Sequence, residues 1–506
     1  MPGTPLRFGP FIGGLNTLSD PAAIDDNELV DILNMELDLD GSLISRPAVK
    51  LEGTQAGLDS RVITIGVAFF SGQTYVIGST DNALWYYTVA SNTWTQIVSG
   101  ATSFVALQWQ DKLWFIATPG STKNSGWWTP AAGTYTEVSS MPRGYTAVIH
   151  KNRMYVTRGI LDTTVLASRV VFSSSLDATT WPGGNSLDVN SGDGQGITRL
   201  IVYNDNIVIF KQQSTYVFAF DSDPAGGSVR KISGTIGAVN RYAVGEYENQ
   251  LYLFHRGYVY EMINYDFNRI NQRVPFELDG TGPGTYSEFF FLQVVDERIV
   301  VRYYNNVYVF NLRTRTWSRW TSNNYFGPFQ VIPRDLSGLS ENIYIAGSCI
   351  VGEKKYFSLF PKYTATTTET FTCSIKTKNY DLAVGHKFKR LFWWGADMSA
   401  VNAVTGVVGP IIYSFIVTWD QLAAYTWDQL QTWDNPLNTP VTTQTVTATN
   451  SSARRRFLKF PKSLRFRQAY FTISTTTDGT SATGPVRIFS LTGMAAEKEI
   501  VPKAVN

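Results

Sequence analysis

The segment Val202-Tyr203-Asn204-Asp205-Asn206-Ile207-Val208-Ile209-Phe210, which continues through Lys211 to Phe220, contains the pattern that determines the fold. An apolar strand is followed by a polar Asn-Asp turn, a second apolar strand, a second polar turn and an aromatic strand. Val, Ile, Tyr and Phe favour a pleated, buried backbone, and Asn-Asp steps favour tight turns. The segment therefore predicts consecutive antiparallel β-strands.

The same strand–turn–strand pattern recurs along the chain. The strand after each turn begins at Thr74, Leu113, Met154, Ile207, Leu251, Ile299 and Ile343. A spacing of about 40–50 residues, with several short strands in each repeat, is typical of a β-propeller. Seven repeats can be counted between residues 56 and 360, although the seventh has a faint outer strand. The sequence predicts a propeller of about seven blades, within a range of six to eight.

Composition supports an all-β protein. Aromatic residues make up 14% of the chain and charged residues only 17%, and the net charge of +2 indicates no particular partner. The two cysteines, Cys349 and Cys373, are too few for a disulfide scaffold or a metal knuckle, and we expect buried thiols. The first residues contain no apolar run, so we expect synthesis in a cytoplasm without a secretory signal.

Residues 1–55 are predicted to form an N-terminal arm. Residues 1–40 contain eight acidic residues and one arginine. Asp25 followed by Glu28 matches a capping box, and we expect one short helix over residues 25–33 whose docking face includes Leu29, Ile32 and Leu33. The strand predicted at residues 42–50 would close the propeller ring. A turn is the preferred interpretation of Asp38-Leu39-Asp40-Gly41, since the later acidic ligands of a calcium loop are missing.

Aromatic residues recur in the predicted outer strands of the repeats, at Trp94, Tyr135, Trp181 and Trp317. A lone four-stranded blade cannot bury both of its faces. We therefore expect these side chains to fill the contacts between adjacent blades.

After residue 361 the repeat disappears, and residues 361–506 predict an antiparallel β-sandwich. This region includes a local Trp-Asp-Gln-Leu repeat with Trp419, Trp427 and Trp433. The tryptophans could stack on sugars or bases, but the favoured interpretation is a loop packed on its own domain or on a neighbouring subunit.

A basic and aromatic segment lies at residues 454–467, with seven basic residues and no acid. Its candidate interaction residues are Arg454, Arg455, Arg456, Lys459, Arg465 and Arg467. Such a segment can bind nucleic acid, but a solvated strand or a surface facing an acidic neighbour is favoured. The acidic N-terminal arm, with Phe11, Asp25 and Asp26 as candidate contacts, is one complementary surface.

No catalytic, metal or nucleotide motif is found. His150, His255 and His386 are widely separated, and the Gly-rich segment 191–196 leads into a strand rather than a helix. Ser175 to Trp181 is similar to a sialidase Asp-box but lacks its glycine and is one residue short. We expect no enzymatic activity and no cofactor.

Three stretches and a closing phrase form a further pattern along the chain. They are Phe8-Gly9-Pro10-Phe11-Ile12-Gly13-Gly14-Leu15-Asn16-Thr17 with Ser19-Asp20-Pro21, Asn34, Asp40-Gly41 and Ser45-Arg46-Pro47; Asp193-Gly194-Gln195-Gly196-Ile197-Thr198 with Ile207 to Lys211; Gly234 to Val239 with Leu251 to Tyr260; and the closing phrase Val486-Arg487-Ile488-Phe489-Ser490-Leu491. Together, these motifs resemble the tail nozzle, or tail-stabilisation, proteins of tailed bacteriophages. The Trp-Asp-Gln-Leu repeat has no assigned place in the family pattern.

The resemblance implies a non-enzymatic virion component. Proteins of this family assemble as rings, commonly hexameric, around the DNA exit channel below the portal and the head-completion adaptor, and they carry receptor-binding tail appendages. The implied partners are other copies of the chain, portal and adaptor proteins, tail fibres, and DNA that passes through the lumen without sequence-specific binding. The implied location is the virion tail.

Two other function classes stay open at the sequence level. One is a glycan-binding or sialidase-like propeller that uses Trp127-Trp128 and the loop from Trp419 to Trp433. The other is a kelch-like protein-interaction module, although the Gly-Gly doublet of a kelch strand is absent.

Overall fold

The computed structural model describes residues 4–46, 49–51, 64–80, 82–88, 93–100, 104–274, 276, 291–295, 297–303, 306–321, 329–332, 343–347, 356–359, 370–380, 389–399, 404–411, 442–446, 456–466, 468–477 and 486–497. The chain divides into two compact units. The sandwich unit comprises Met1–Ala48, Asn311–Thr321 and Tyr363–Asn506, and the propeller unit comprises Val49–Phe310 and Ser322–Lys362.

Forty strands occur in the described residues. The N-terminal strands are β1 (Thr4–Phe8), β2 (Gly14–Leu15), β3 (Glu28–Leu33), β4 (Met35–Leu37), β5 (Leu43–Ser45) and β6 (Val49–Leu51). The repeat region contains β7 (Thr64–Phe70), β8 (Gln73–Ser79), β9 (Ala83–Thr88), β10 (Thr93–Ser99), β11 (Phe104–Trp109), β12 (Lys112–Ala117), β13 (Gly126–Trp128), β14 (Thr136–Glu137), β15 (Thr146–His150), β16 (Arg153–Thr157), β17 (Arg169–Phe172), β18 (Ser186–Asp188), β19 (Ile197–Tyr203), β20 (Asn206–Lys211), β21 (Thr215–Ala219) and β22 (Ser228–Ser233).

The repeats continue with β23 (Val244–Tyr247), β24 (Gln250–His255), β25 (Tyr258–Ile263), β26 (Asp266–Arg269), β27 (Phe291–Val295), β28 (Arg298–Tyr303), β29 (Asn306–Asn311), β30 (Thr316–Thr321), β31 (Phe329–Ile332), β32 (Ile343–Gly347) and β33 (Tyr356–Leu359). The C-terminal strands are β34 (Phe371–Thr377), β35 (Lys389–Ser399), β36 (Val404–Ile411), β37 (Thr442–Val446), β38 (Arg456–Phe466), β39 (Gln468–Thr477) and β40 (Arg487–Glu497). Short 3-10 helices lie at Gly159–Leu161, Val165–Ser168 and Pro224–Gly226.

The propeller unit confirms the all-β propeller prediction and contains seven sheets. Five consist of four strands paired in chain order, from β7–β10 to β23–β26, and the sixth begins with β27, β28 and β29. The first strand of each sheet is its innermost strand. These first strands contact each other at six of the seven junctions between sheets, and β31 of the last sheet contacts β7 of the first, so the ring is closed. The predicted outer strand of the sixth repeat exists as β30, but its residues cluster with the sandwich unit.

The seventh sheet takes its fourth strand from the N-terminal part of the chain. β6 pairs antiparallel with β33, with Ser358 opposite Lys50. The predicted closing segment, residues 42–50, overlaps β6 by only two residues. β5 lies in a different sheet, paired with β4 and β40.

The second strand of each well-described sheet is buried along nearly its whole length. After its first residue, every residue of β12, β20 and β24 is buried. Second strands are covered by neighbouring sheets on both faces, so they carry continuous rather than alternating apolar residues. This explains why the repeat is visible in the sequence at these positions.

The turn between the first and second strands has the same form in several sheets. Both turn residues have a positive φ at Gln110-Asp111, Lys151-Asn152, Asn204-Asp205 and Glu248-Asn249. This backbone twist matches that of the flanking strands, and Asn and Asp tolerate it. The Asn-Asp step thus explains why the hairpin at Val202 to Phe210 could be predicted.

Adjacent sheets are joined by apolar clusters. Phe104, Phe115 and Trp128 of the second sheet pack with Tyr75 and other residues of the first, and the partly buried Tyr135 packs against them. Trp181 occupies the same role between the second and third sheets. The two positions are consistent with the predicted contacts between blades. Trp94 is buried and stacks on Tyr87 with ring centroids 5.0 Å apart.

The sandwich unit contains two sheets. One has the order β38-β35-β40-β5-β4, with β1 paired to β40, and the other contains β3, β34, β39, β36 and β37 in that order, with β2 paired to β3. The ring of Trp394 in β35 lies 5.1 Å from that of Phe471 in β39, so the sheets pack on each other through aromatic side chains. Burial alternates along β34 at Phe371, Cys373 and Ile375, as expected for a strand with one core face.

The predicted helix at residues 25–33 is wrong, because Glu28–Leu33 is strand β3. One of the two capping-box contacts forms, since the Glu28 carboxylate accepts from the Asp25 N–H at 3.1 Å. The Glu28 N–H donates to the backbone carbonyl of Asp25, at 3.1 Å, rather than to its side chain. They close a turn rather than a helix. Pairing of β3 with β2 and β34 outweighs the local helical signal.

Candidate functional site

The predicted contact residues of the N-terminal arm lie largely in the core of the sandwich unit. Phe11 and Leu29 are fully buried, and Ile32 is 1% exposed, while Leu33 is half-buried. Because β1 to β5 pair within this unit, these apolar side chains are core residues rather than an exposed docking surface. The predicted docking face of Leu29, Ile32 and Leu33 thus packs within the unit that contains it.

The acidic predicted contacts lie at the surface. Asp25 and Asp26 are both exposed, and Asp26 forms an ion pair with Lys378 at 2.6 Å. Lys378 also donates to the carbonyl of Ile24 at 3.0 Å. The acidic arm therefore meets a basic residue of its own unit.

The other predicted contacts fall partly or wholly outside the described residues. Trp419, Trp427, Trp433, Arg454, Arg455 and Arg467 lie outside them. The strand predicted for the basic segment is present as β38, which includes Arg456, Lys459 and Arg465, but the side chains of these three residues are outside the described set.

A buried polar node joins distant segments of the sandwich unit. The Arg46 side chain is fully buried, its Nε donates to Asn34 Oδ1 at 2.9 Å, and its Cζ lies 4.0 Å from the centroid of the Phe371 ring. Asn34 has φ 56°, and its Nδ2 donates to the Thr372 carbonyl at 2.7 Å. Asn34 Oδ1 also accepts from the Thr321 N–H at 2.8 Å. Two residues of the phage-like pattern thus fix three chain segments together.

The N-terminal and closing phrases of the pattern are adjacent in space. The Ser45 N–H donates to the Val486 carbonyl at 2.8 Å, and the Val486 N–H donates to Ser45 Oγ at 3.1 Å. Arg487 Nη1 lies 2.9 Å from Asp38 and 3.6 Å from Asp40. Hydrogen bonds from Ser42, together with Arg487, lower the pKa of the Asp40 carboxyl. The predicted Asp38–Gly41 turn is present, since the Gly41 N–H donates to the Asp38 carbonyl.

A second buried node lies between the third and fourth sheets of the propeller unit. The fully buried Lys211 Nζ lies 2.8 Å from Asp193 Oδ1 and donates to Ser168 Oγ at 2.9 Å and to the Asn190 carbonyl at 3.0 Å. All three donors of the ammonium group are therefore used, as a buried cation requires. Asp193 and Lys211 begin and end the second phage-like stretch.

The third phage-like stretch packs on the same node. A Cβ on Gly237 would lie 2.2 Å from the Lys211 carbonyl oxygen, so only glycine fits there. His255 is 3% exposed, and neither of its ring nitrogens has a hydrogen-bond partner. Burial, with a contribution from Arg256, lowers the pKa of His255 to about 4.

The candidate functional site, which we name the central cluster, comprises Tyr145, Arg199, Arg241, Tyr242 and Glu246. Arg241 precedes β23, and Tyr145 precedes β15, so they come from the fifth and third sheets. Arg241 Nη1 donates to the Tyr145 carbonyl at 3.1 Å, and Nη2 donates to Tyr242 Oη at 2.7 Å. Because these sheets are not neighbours, the bridge spans the inner edge of the fourth sheet.

Arg199 lies on β19, the innermost strand of that fourth sheet. The Leu200 N–H donates to Thr146 Oγ1 at 3.3 Å, which places Arg199 next to the Tyr145 end of the bridge. Removal from water and the nearby charge of Arg241 lower the pKa of Arg199. Partial removal from water raises the pKa of Glu246, and Arg199 opposes this rise. Perturbed ionisable groups in the centre of a fold are candidates for a binding site.

Sequence reasoning missed the central cluster. Its residues are spread over about a hundred positions and do not belong to a repeated sequence pattern, so no motif identifies them. A repeat-based alignment of innermost strands would have shown charged residues at Arg199 and Glu246, where the other innermost strands are mainly apolar.

The side chains proposed for glycan binding in the propeller unit do not form an open aromatic platform. Trp128 is 1% exposed. Trp127 is half-buried, and the Nζ of Lys112 lies 4.3 Å from the centroid of its ring. Asp177, of the Asp-box-like segment, accepts from the Thr179 N–H at 2.7 Å. Hydrogen bonds from Thr179 and Thr180 lower the pKa of Asp177 and hold a structural turn.

Within the described residues, no group of three or more His, Cys, Asp or Glu side chains could hold a metal ion. In the same part of the chain, no helix has the length and apolar character needed to cross a membrane.

Comparison with known proteins gives similarity in structure alone. No protein-family model and no curated protein sequence matches the chain. The extracellular domain of BT4673 from B. thetaiotaomicron is 10% identical with a TM-score of 0.46; the match covers 75% of this chain and 49% of that one, so this chain spans about half of its length. The WD40 domain of Neurospora crassa Pan2 is 9% identical with a TM-score of 0.40, covering 64% and 99% of the two chains.

YCF48 from Cyanidioschyzon merolae is 9% identical with a TM-score of 0.41, and the match covers 62% of this chain and 99% of that one. Likenesses this distant say nothing about function. The β-propeller assignment rests on the seven sheets themselves.

Proposed function

We propose that this chain is a non-enzymatic structural subunit of a bacteriophage tail or neck. In this proposal, copies of the chain form a nozzle-like ring around the DNA exit channel. The ring docks on the head-completion adaptor and seals or extends the tail. Tail fibres or other tail proteins attach to it, and DNA passes through its lumen without sequence-specific contacts.

The observation that carries the proposal is the adjacency of Ser45 and Val486. They belong to the first and last phrases of the phage-like pattern and are bonded to each other twice, at 2.8 and 3.1 Å. The other stretches of the pattern meet at Lys211 and at the Asn34–Arg46 node. Each motif is weak evidence when taken alone. In the structure, the motifs lie at contacts that stabilise the interior of the sandwich unit and the interior of the propeller unit, which supports a common family fold rather than chance similarity.

The geometry also suits a permanent structural role. Each node buries a basic side chain that is bonded to another segment of the chain, Arg46 to Asn34 and Lys211 to Ser168 and Asp193, which fixes one arrangement of the chain. Rigid units of this kind can hold subunits of a closed ring in register.

Native mass spectrometry and negative-stain electron microscopy of the purified full chain test the proposal. We expect one oligomer of fixed stoichiometry, seen as a ring with a central opening, either alone or after addition of the adaptor. A chain that remains monomeric under both conditions contradicts the proposal. A parallel assay with fluorogenic glycosides should give no hydrolysis, and turnover there would favour the sialidase-like alternative.

A further inference from the structure

A tightly bonded turn of the sandwich unit carries an exposed leucine. The turn runs from Asp38 to Gly41 between β4 and β5, and Leu39 is 69% exposed. The Gly41 N–H donates to the Asp38 carbonyl, and the Asp38 N–H donates to the Ser42 carbonyl. The carboxylates of Asp38 and Asp40 accept from the N–H groups of Leu39 and Ser42, each at 2.8 Å. A backbone that is already ordered loses little conformational freedom when it binds a partner.

Two further apolar residues enlarge this surface. Pro10 is exposed, and Ile12 is 55% exposed. A Cβ on Gly41 would lie 2.9 Å from Pro10 Cβ and 3.8 Å from Ile12 Cγ2, so both side chains lie against the turn that carries Leu39. We name Pro10, Ile12 and Leu39 the apolar patch. Single exposed apolar residues are ordinary at a protein surface, whereas adjoining ones indicate a contact site.

The apolar patch is bordered by acidic residues. Asp38 and Asp40 flank Leu39 in the sequence and lie 2.9 and 3.6 Å from Arg487. Their side chains are 33% and 51% exposed, so both stay accessible to a partner. Hydrogen bonds from Ser42 lower the pKa of Asp40, which is therefore charged at neutral pH. A partner for this surface should combine apolar side chains with positive charge.

The same sheet has a strand of that composition at its opposite edge. In the order β38-β35-β40-β5-β4, the turn follows β4, and β38 is the last of the described strands at the other end. β38 contains three phenylalanines, no acid and four basic residues, Arg456, Lys459, Lys462 and Arg465. Four strand spacings, about 19 Å, separate β38 from β4. The two surfaces can therefore contact two different neighbours.

We propose that the apolar patch of one copy, together with Asp38 and Asp40, binds strand β38 of a second copy. Leucine and carboxylates on one side meet phenylalanines and basic residues on the other. Because the contact joins two different surfaces, its repetition produces a ring when the rotation between copies closes. This contact rests on the proposed function, a ring of copies, and it identifies the surfaces that join them.

Carbodiimide cross-linking of the assembled full chain tests the contact, because this reagent joins a carboxylate to an amine without a spacer. The assembly is formed from a mixture of unlabelled and isotopically labelled copies. We expect cross-links from Asp38 or Asp40 to Lys459 or Lys462 in which one peptide is labelled and the other is not. Cross-links of the turn to equally labelled peptides only, or only to other parts of the chain or to an added adaptor, overturn the proposal.

Leu39→Arg provides a second readout, measured by mass photometry over a dilution series. The substitution removes an apolar contact and adds a positive charge opposite a basic strand. The apparent dissociation constant of the oligomer should therefore rise at least about tenfold. Leu39→Met keeps the apolar contact and should assemble like the wild type.

The matched control is Leu18→Arg. Leu18 is 62% exposed in the same unit, but it follows β2, which belongs to the other sheet. Its replacement should leave assembly unchanged. Near-ultraviolet circular dichroism identical to that of the wild type shows that each variant is folded.

The ring and the contact fail in different ways. A wild-type chain that stays monomeric, alone and with the adaptor, contradicts both. A wild-type ring that gives no cross-link between the turn and β38, or that assembles undiminished with Leu39→Arg, overturns the contact and leaves the ring standing.

Discussion

The two units of this chain are built in opposite ways. Among the described strands of the propeller unit, five complete sheets each arise from one continuous segment, and the seventh takes its fourth strand, β6, from the N-terminal part of the chain. In the sandwich unit, β40 pairs with β1, β5 and β35, so single sheets combine both ends of the chain. Local pairing leaves a repeat in the sequence, while pairing between distant segments leaves none.

The two buried polar nodes also differ in the kind of partner that the basic side chain contacts. Lys211 forms an ion pair with the carboxylate of Asp193, which lies 18 residues earlier in the chain. Arg46 meets the neutral amide of Asn34 and two aromatic rings, those of Trp320 and Phe371. We infer that the sandwich unit depends more strongly on a few long-range contacts than the propeller unit does.

The largest expected effect comes from deleting residues 1–41. This removes β1 to β4, so β34 loses its pairing with β3 and β40 loses its pairing with β1, and the sandwich unit should unfold. The propeller unit keeps β6 and should remain folded. Hydrogen-exchange mass spectrometry should show lost protection in β35 and β40 and unchanged protection in β20 and β24. Deletion of residues 1–3 is the control. Equal loss of protection in both units would remove the distinction between them.

Arg46→Met should be the most damaging single substitution considered. It leaves the Asn34 amide without its buried partner and removes the cation from the aromatic rings. We expect a loss of about 3–5 kcal/mol, which combines about 1.5–3 kcal/mol for the hydrogen bond to a charged group with about 2 kcal/mol for the buried cation–π contacts. Urea unfolding followed by tryptophan fluorescence measures the change. A loss below about 1 kcal/mol would show that the node does not hold the sandwich unit together.

Acid should weaken the propeller unit through His255. Its pKa is lowered to about 4 in the folded state from an ordinary value of 6.5, so the unfolded chain binds a proton more readily. Stability is fully present above pH 6.5, falls between pH 6.5 and 4, and levels off below 4, with a total loss of about 3 kcal/mol from this residue.

Urea unfolding midpoints at several pH values measure this loss. His255→Gln should flatten the dependence between pH 6.5 and 4, while His150→Gln, which retains His255, should preserve most of it. If His255→Gln keeps the full dependence of the wild type, another group is responsible.

The smallest effect is expected for Arg319→Met. Arg319 binds Asp31 through two contacts of 3.1 and 3.0 Å, but the side chains are 37% and 30% exposed. Exposed pairs contribute little, and we expect a loss of about 0.5 kcal/mol. Arg319 and Arg46 are both arginines of the sandwich unit. Comparing the two substitutions therefore isolates the effect of burial. Equal losses for both would contradict it.

The sequence was sufficient for the propeller because its signals are local. The covered second strands and the Asn-Asp turn at Asn204 repeat at a regular spacing, and the structure confirms seven sheets. The prediction of a helix at residues 25–33 was wrong because Leu29, Ile32 and Leu33 fit one face of a helix and also fit a strand paired with β34. Local spacing does not distinguish these states when a distant strand supplies the pairing.

The contact residues and the central cluster were harder to predict from the sequence than the fold was. The sequence analysis assigns Leu29 and Ile32 to the docking face of a helix, but the structure buries both side chains beside strands of their own unit. The central cluster could not be found, since Tyr145 and Arg241 lie at different sheets, the third and the fifth, and meet only in the folded propeller unit. Lys211 and Asp193 were recognised as part of a motif, but not as an ion pair.

Cryo-electron microscopy of the purified assembly tests the central claim most directly. The account predicts a closed ring of identical copies around an open lumen, in which strand β1 of each copy pairs with β40 of the same copy. Particles that contain only single chains, with or without the adaptor, would contradict the proposed structural role.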